Sequence, residues 1–221
     1  MTNHVDLSGL AFGDVDGSGC AGEFINYLDN ATGHFHPVKR LAQSYLRLKP
    51  GERVLDVGCG CGGDIREMAI SIIPNGYAVG IDVSRSMIEE ARQRSARFVA
   101  PSQFVVADAE ALPWASAYFD ACLADRIFQH LRSPARALNE MLRVIKTGGR
   151  VVVADRDWGM GRLMQPTPQF PPWCSLALVQ ASTTVGWEGT LMPSSMKQEC
   201  RTRKYRPKAS TFRVSRLPIC C

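Results

Sequence analysis

Along the middle of this chain, hydrophobic and polar positions switch repeatedly between two periods. Short apolar runs at Arg53 to Val57, Tyr77 to Ile81, Gln103 to Ala107, Phe119 to Ala124 and Arg150 to Ala154 read as buried strands bounded by turn residues. Stretches with helical spacing lie between them. Ile65 to Ile73 ends at Pro74-Asn75-Gly76, and Arg85 to Arg97 is opened by Ser84 as N-cap, with Glu89 and Glu90 in its body. A further helix starts at Ser133-Pro134 and carries Leu138, Met141, Leu142 and Ile145 until Gly148-Gly149 stops it. Such alternation predicts an α/β domain with mostly parallel strands and helices on both faces of the sheet, a doubly wound arrangement. Ahead of it, Phe24 to Leu48 has helical spacing in two pieces with Pro37 near the break, and residues 1–22 have no sustained period. The expected organisation is a flexible arm over 1–22, one ligand-binding domain over 23–158, and an atypical region over 159–221. In that last region Gln165 to Trp173 holds four prolines in nine residues, which suits neither helix nor central strand. Any antiparallel strands that close the sheet are therefore in doubt.

The informative chemistry sits where the first strand meets the first interior helix, in VLDVGCGCGGD, Val54 to Asp64. Glycines at Gly58, Gly60 and Gly62 suit a turn whose backbone takes positive φ or lies directly against a ligand. The helix that follows offers unpaired N–H groups. Asp56 precedes the glycines; a carboxylate there repels a pyrophosphate and suits an ammonium group or hydroxyls. Asp82 and Asp108 stand at the next two strand ends. Any one of the three reads equally as a turn or helix cap, but three at successive strand ends point to one binding site along the carboxyl edge of the sheet.

The segment VLDVGCGCGGD resembles the first motif of class I S-adenosylmethionine (SAM) dependent methyltransferases. VVADAEALPW, FDACLADRIFQHL and LRVIKTGGRVVVADRDW resemble, in turn, small-molecule methyltransferases of the ubiquinone/menaquinone-biosynthesis type. The resemblance runs from about Tyr27 to Trp158 and implies a Rossmann-like fold with SAM as cofactor. It implies that Asp56 and the turn of Gly58, Cys59, Gly60 and Gly62 hold the amino-acid end. Asp82, with Val83 beside it, takes the ribose hydroxyls; Asp108 and the Ala109 N–H face the adenine; Asp125 also belongs to the cofactor set. Candidates for chemistry on a small-molecule acceptor follow the fourth strand. They are Asp125, Arg126 and His130, with Gln129 beside them. His130 is either a base or a packing residue, and Arg126 pairs with an acidic acceptor or with Asp125. Asp155, Asp157 and Trp158 resemble the family's pocket-facing stretch. A nicotinamide dehydrogenase is disfavoured, because the acid stands ahead of a G-x-G-x-G pattern rather than after G-x-G-x-x-G.

Composition narrows the classes further. At 221 residues one domain with a sizeable core is expected. The start of the chain has no leader pattern and no stretch is apolar enough to insert in a membrane, so a cytoplasmic location is expected. Eight cysteines lack any C-x-x-C pair and read as free thiols. Neither Cys59 with Cys61 nor His34 with His36 has further ligands in view, so no metal is expected. The formal charge of +5 is concentrated at one end: residues 197–221 carry +7 and the first 196 carry −2. A basic face interleaved with aromatics is not seen, so nucleic acid is not an expected partner; the pattern is silent on oligomeric state.

Two alternatives remain for the tail. It is a divergent segment, or it arises from a shifted reading frame. ECRTRKYRP, Glu199 to Pro207, can be encoded so that the frame one nucleotide along reads Asn-Ala-Gly-Leu-Ala-Asn-Ile-Asp, which resembles the family's continuation. Two functional classes follow: a working methyltransferase, or a SAM-binding relic or scaffold with an incomplete acceptor pocket.

Overall fold

The computed structural model describes residues 12–98, 100–156, 174–181 and 212–216. Seven strands form one sheet: β1 Arg53–Val57, β2 Tyr77–Asp82, β3 Ser102–Val106, β4 Phe119–Asp125, β5 Ile145–Arg156, β6 Cys174–Ala181 and β7 Phe212–Arg216, in the order β3-β2-β1-β4-β5-β6-β7. The first five are mutually parallel, as the strand-helix alternation predicts. The doubtful closing strands are present in the backbone, β6 antiparallel to β5 and β7 antiparallel to β6. Asp157, Trp158 and the proline-rich Gln165 to Trp173 lie outside the described residues, as does most of the basic tail.

Four helices cover the sheet: α1 Ala21–Leu46, α2 Gly63–Ser71, α3 Arg85–Ser95 and α4 Pro134–Val144. Two apolar clusters back its two faces. One is built around Leu55, Val79, Phe119, Met141 and Val151, and the other around Leu46, Val54, Ile65, Met68 and Val152. Successive residues on β1 serve opposite clusters: Val54 packs in the second, and Leu55 and Val57, two apart, share the first.

Two expectations about elements are corrected. The two-piece N-terminal helix is a single helix of 26 residues with Pro37 inside it. Proline there removes one backbone hydrogen bond and costs about 3 kcal/mol. Phe24 and Leu46 are fully buried and Val38 nearly so; at about 2 kcal/mol each, their burial outweighs that cost and keeps the rod continuous. His34 and His36 are consequently on a helix rather than a loop, and the His36 imidazole lies 4.0 Å from Glu67.

The second correction concerns Ile145, which begins β5 opposite Phe119 instead of ending α4. Gly148, at φ +81°, absorbs the irregularity between that pair and the next, Ala121 with Arg150. Ahead of α1, the described part of the arm packs on the domain. Phe12–Asp14 forms a short 3₁₀ turn, and Val15 is buried against Phe24, Cys61 and Met87.

Candidate functional site

The site is assembled at the carboxyl ends of β1, β2 and β4, beneath α1. Asp56, in the last turn of β1, is 1% exposed, and its Oδ2 has no hydrogen-bond partner among the described residues. Burial pushes its carboxyl well above the ordinary value. Asp64, Asp125 and Asp82 add repulsion, and Lys39 opposes them. Four carboxylates thus share one region, and the structure supplies a lysine to it. The Lys39 ammonium, carried by α1, bridges Asp64 on α2 and Asp125 at the end of β4, the latter at 2.8 Å. Burial alone would lower the pKa of Lys39, but Asp125 and Asp64 raise it, so it stays charged. Gln43, one turn along α1, donates to the other oxygen of Asp64 at 2.7 Å.

The glycine turn shapes the floor of the site. Gly58 has φ +72°, and a Cβ there would stand 2.1 Å from the Ile127 side chain. Only glycine meets both demands. Cys59 is buried, its N–H donates to the Ile81 carbonyl at 2.8 Å, and burial, then Asp56, push its thiol up. Its side chain packs, and its backbone belongs to the turn. Gly62, also at positive φ, precedes α2, so the first N–H groups of that helix face the turn.

Asp82 ends β2 and is tied to both neighbours. Its Oδ2 accepts from the Gly60 N–H at 3.0 Å and its Oδ1 from the Ser84 N–H at 2.9 Å. Burial raises its pKa, and these backbone bonds oppose the rise. Each oxygen keeps a lone pair for a second donor, which a vicinal diol could supply. Val83, beside it, is 55% exposed, a large apolar side chain facing out at the rim. Asp108 lies two residues beyond β3, is exposed, and accepts from the Glu110 N–H at 2.8 Å; Ala109 is buried. Asp56, Asp82 and Asp125 are therefore brought together with Asp64, whereas Asp108 stands at the outer end of the row.

After β4 the chain turns sharply. Arg126 has φ +58°, a conformation unusual outside glycine, its N–H donates to the Ala154 carbonyl at 2.6 Å, and its guanidinium lies 3.4 Å from Asp125. His130 closes the 3₁₀ turn Phe128–His130, and its ring lies 5.3 Å from that of Phe12. Burial first and Arg126 second lower its pKa, which leaves a neutral imidazole at pH 7 able to accept a proton. Asp155, buried at the end of β5, accepts from the Gln129 N–H at 3.2 Å.

Sequence reasoning missed Lys39, Gln43 and Asp16. Lys39 and Gln43 left a faint trace. They flank the buried stripe Val38, Ala42, Leu46 at the same four-residue spacing, polar residues beside an apolar face. Asp16 left none, since Asp16-Gly17 reads as an ordinary turn.

A carboxylate-rich pocket with a diol-ready acid and a glycine floor, at the switch point of a parallel sheet, is an arrangement chemically suited to a cationic nucleoside derivative. The sequence profile of the methyltransferase domain family matches residues 48–202, and the chain belongs to that family. The match carries the family signal well past Trp158, where the sequence reading ended it. An uncharacterized 37.1 kDa protein in transposon TN4556 of Streptomyces fradiae is 37% identical over 136 residues, 61% of this chain and 39% of that one. The ubiquinone/menaquinone biosynthesis C-methyltransferase UbiE of Ectopseudomonas mendocina is 36% identical over 130 residues, 58% of this chain and 51% of that one. The chain thus spans about half or less of the length of these curated relatives. Among solved structures, a SAM-dependent methyltransferase from Aquifex aeolicus has a TM-score of 0.51 at 25% identity, covering 60% of this chain and 69% of that one. The [4+2]-cyclase SpnF has a TM-score of 0.51 at 31% identity, covering 55% and 46%. No helix among the described residues is long and apolar enough to cross a membrane, and no group of three or more ligating side chains among them could hold a metal ion.

Proposed function

We propose that this chain is a SAM-dependent methyltransferase acting on a small-molecule acceptor. The observation that carries the reading is the unpartnered, fully buried Oδ2 of Asp56 inside a group of four carboxylates. Such an arrangement is costly unless a cationic or donor-bearing ligand is its intended partner. The residues present fit SAM: Asp56 with the turn of Gly58, Cys59, Gly60 and Gly62 would hold its amino-acid end, Asp82, with Val83 beside it, its ribose hydroxyls, and Asp108 and the Ala109 N–H its adenine. Asp125, at the end of β4, completes the cofactor set. SAM, when bound, supplies an electrophilic methyl group on a sulfonium.

The chain's own contribution is placement, because an in-line displacement gains most from aligning the acceptor in a water-poor pocket. Where the acceptor must lose a proton, His130 takes it at an imidazole nitrogen, its neutrality at pH 7 being favoured by burial and by Arg126. Arg126 and Asp125 flank that position. The acidic potential of the site also disfavours nucleic acid, whose phosphates it repels. Free thiols at Cys20, Cys59, Cys61 and Cys122 accord with a cytoplasmic location.

A second reading is binding without methyl transfer, as a relic, a scaffold or a catalyst of other chemistry. It is favoured by the likeness to a protein described as a [4+2]-cyclase. The presence of β6 and β7 supports the first reading, since they close the sheet on the side where an acceptor pocket would form. The experiment is a calorimetric titration with SAM and S-adenosylhomocysteine, alongside Asp82→Ala. Micromolar binding, weakened about tenfold or more in the variant but still measurable, supports the cofactor reading. Methyl transfer from labelled SAM to a panel of quinols, phenols and amines then separates the two readings. Undetectable binding by the folded wild-type chain overturns both.

A further inference from the structure

The N-terminal arm touches the site through a chain of hydrogen bonds that the binding reading does not use. Asp16, on the segment before α1, caps the start of α3. Its Oδ2 accepts from the Arg85 N–H at 2.7 Å, and its Oδ1 accepts from the Ser84 hydroxyl at 2.8 Å and the Ser86 N–H at 3.2 Å. The Ser84 hydroxyl in turn accepts from the Met87 N–H at 3.2 Å, and the Ser84 N–H donates to Asp82. Asp82 then accepts from Gly60 in the glycine turn. One continuous path therefore runs from Asp16 through Ser84 and Asp82 to the floor of the site. The arm is held at three points along this edge, since Val15 is buried beside Met87 and Phe12 packs on Phe24, Tyr27 and His130.

The placement of Asp16 has an electrostatic cost. Its charge adds to the repulsion that raises the Asp82 carboxyl. A neutral serine or threonine would cap α3 without that penalty. What the carboxylate adds is a second oxygen, so that it grips Ser84, Arg85 and Ser86 together and fixes the rotamer of the Ser84 hydroxyl. Asp82 is met by the Ser84 backbone N–H, so the coupling runs through the backbone of residues 84–86 that this grip holds in place.

We propose that Asp16 is a positioning residue for the ribose-binding carboxylate Asp82, acting through Ser84, and that the segment 12–20 is part of the cofactor site rather than a loose leader. This rests on the assignment of Asp82 to the ribose of SAM. Asp16 touches no ligand itself.

The test is a double-mutant cycle read by calorimetry with S-adenosylhomocysteine and with adenosine, on full-length wild type, Asp16→Ala, Asp82→Ala and the double variant. Asp16→Ala is expected to weaken both ligands by about fivefold to tenfold, the scale of one lost polar contact. In the Asp82→Ala background the same change is expected to cost less than about twofold, because the two residues act in series. Asp16→Asn, which keeps one acceptor oxygen and turns the other into a donor, is expected to recover only part of the affinity. Hydrogen exchange at the Arg85, Ser86 and Gly60 amides of the unliganded protein gives a ligand-free readout, with faster exchange expected at all three in Asp16→Ala. Wild-type affinity in Asp16→Ala, or a full additive loss on top of Asp82→Ala, overturns the proposal and leaves the cofactor reading intact. Faster exchange confined to Arg85 and Ser86, with Gly60 unchanged, reduces Asp16 to a helix cap and also overturns it. A folded wild-type protein that binds neither ligand overturns the cofactor reading, and this proposal with it.

Discussion

Asp56 shows how a single side chain trades stability for function. Its carboxyl is buried, repelled by three others, and held well above its ordinary value. For such a group the sign is the reverse of the usual acid. Ionisation is easier in the unfolded chain, so the folded state loses stability as pH rises from the unfolded value through the folded one. Asp56→Asn removes the charge while keeping the shape. We expect it to stabilise the unliganded protein by about 1 kcal/mol in urea titrations at pH 7 and to abolish binding of SAM by calorimetry. Stabilisation with binding retained would remove Asp56 from the site. The sequence located this residue because an acid before a glycine turn is chemically distinctive. It left only a faint trace of Lys39, because a lysine on an amphipathic helix usually points to water, and only the fold turns this one inward.

At the level of elements, the glycine turn and the arm carry separate tests. Gly58→Ala must place a Cβ against Ile127 and hold a non-glycine residue at φ +72°. The expected cost is at least about 2 kcal/mol in denaturant unfolding, with binding lost as the turn opens. Asp16 gives a pH signature of the ordinary kind. Burial works against its charge, but hydrogen bonds from Ser86, Ser84 and Arg85 lower its pKa from 3.8 to about 2. Its contribution to docking is present above about pH 4 and lost as pH falls through about 2. Protection of the Arg85 and Ser86 amides, taken relative to the intrinsic exchange rate at each pH, should fall from pH 5 to pH 2 in wild type and be flat in Asp16→Ala. Strands β1 to β4 and helix α3 were legible in the sequence because local pattern, caps and burial agree there. The start of β5 was not, since a helix-compatible Ile145 is claimed by pairing with Phe119, a contact no local window contains. The continuity of α1 was hidden for the same reason: Pro37 is a local signal, and the burial of Phe24 and Leu46 that overrides it is tertiary.

For the whole molecule, the C-terminal third is where sequence and structure diverge most. The proline-rich run and basic tail argue against regular strands, yet the backbone places β6 and β7 in an antiparallel pair beside β5. The family match ends at residue 202, close to where the alternative reading frame would begin. Sequencing the gene around codon 198 decides this: a shifted-frame product is expected to lose no SAM affinity when the chain is restored to the other frame, and an intact frame leaves the tail as native sequence. A last consequence comes from α1. A helix of 26 residues is about 39 Å long and here works as a strut. Its far end is clamped where the Leu46 carbonyl accepts from Arg150, itself paired with Glu52, at 2.6 Å and 2.9 Å respectively. About a third of the way along it is tied a second time, by Asp29 to Arg94 at 2.6 Å, and Lys39 hangs between the two ties over the acidic pocket. A stiff beam held at two points transmits slack from either support. Arg150→Ala, at the opposite edge of the sheet from the pocket, should therefore loosen S-adenosylhomocysteine binding measurably, whereas an exposed change on the same strut, such as Arg40→Ala, should leave it untouched.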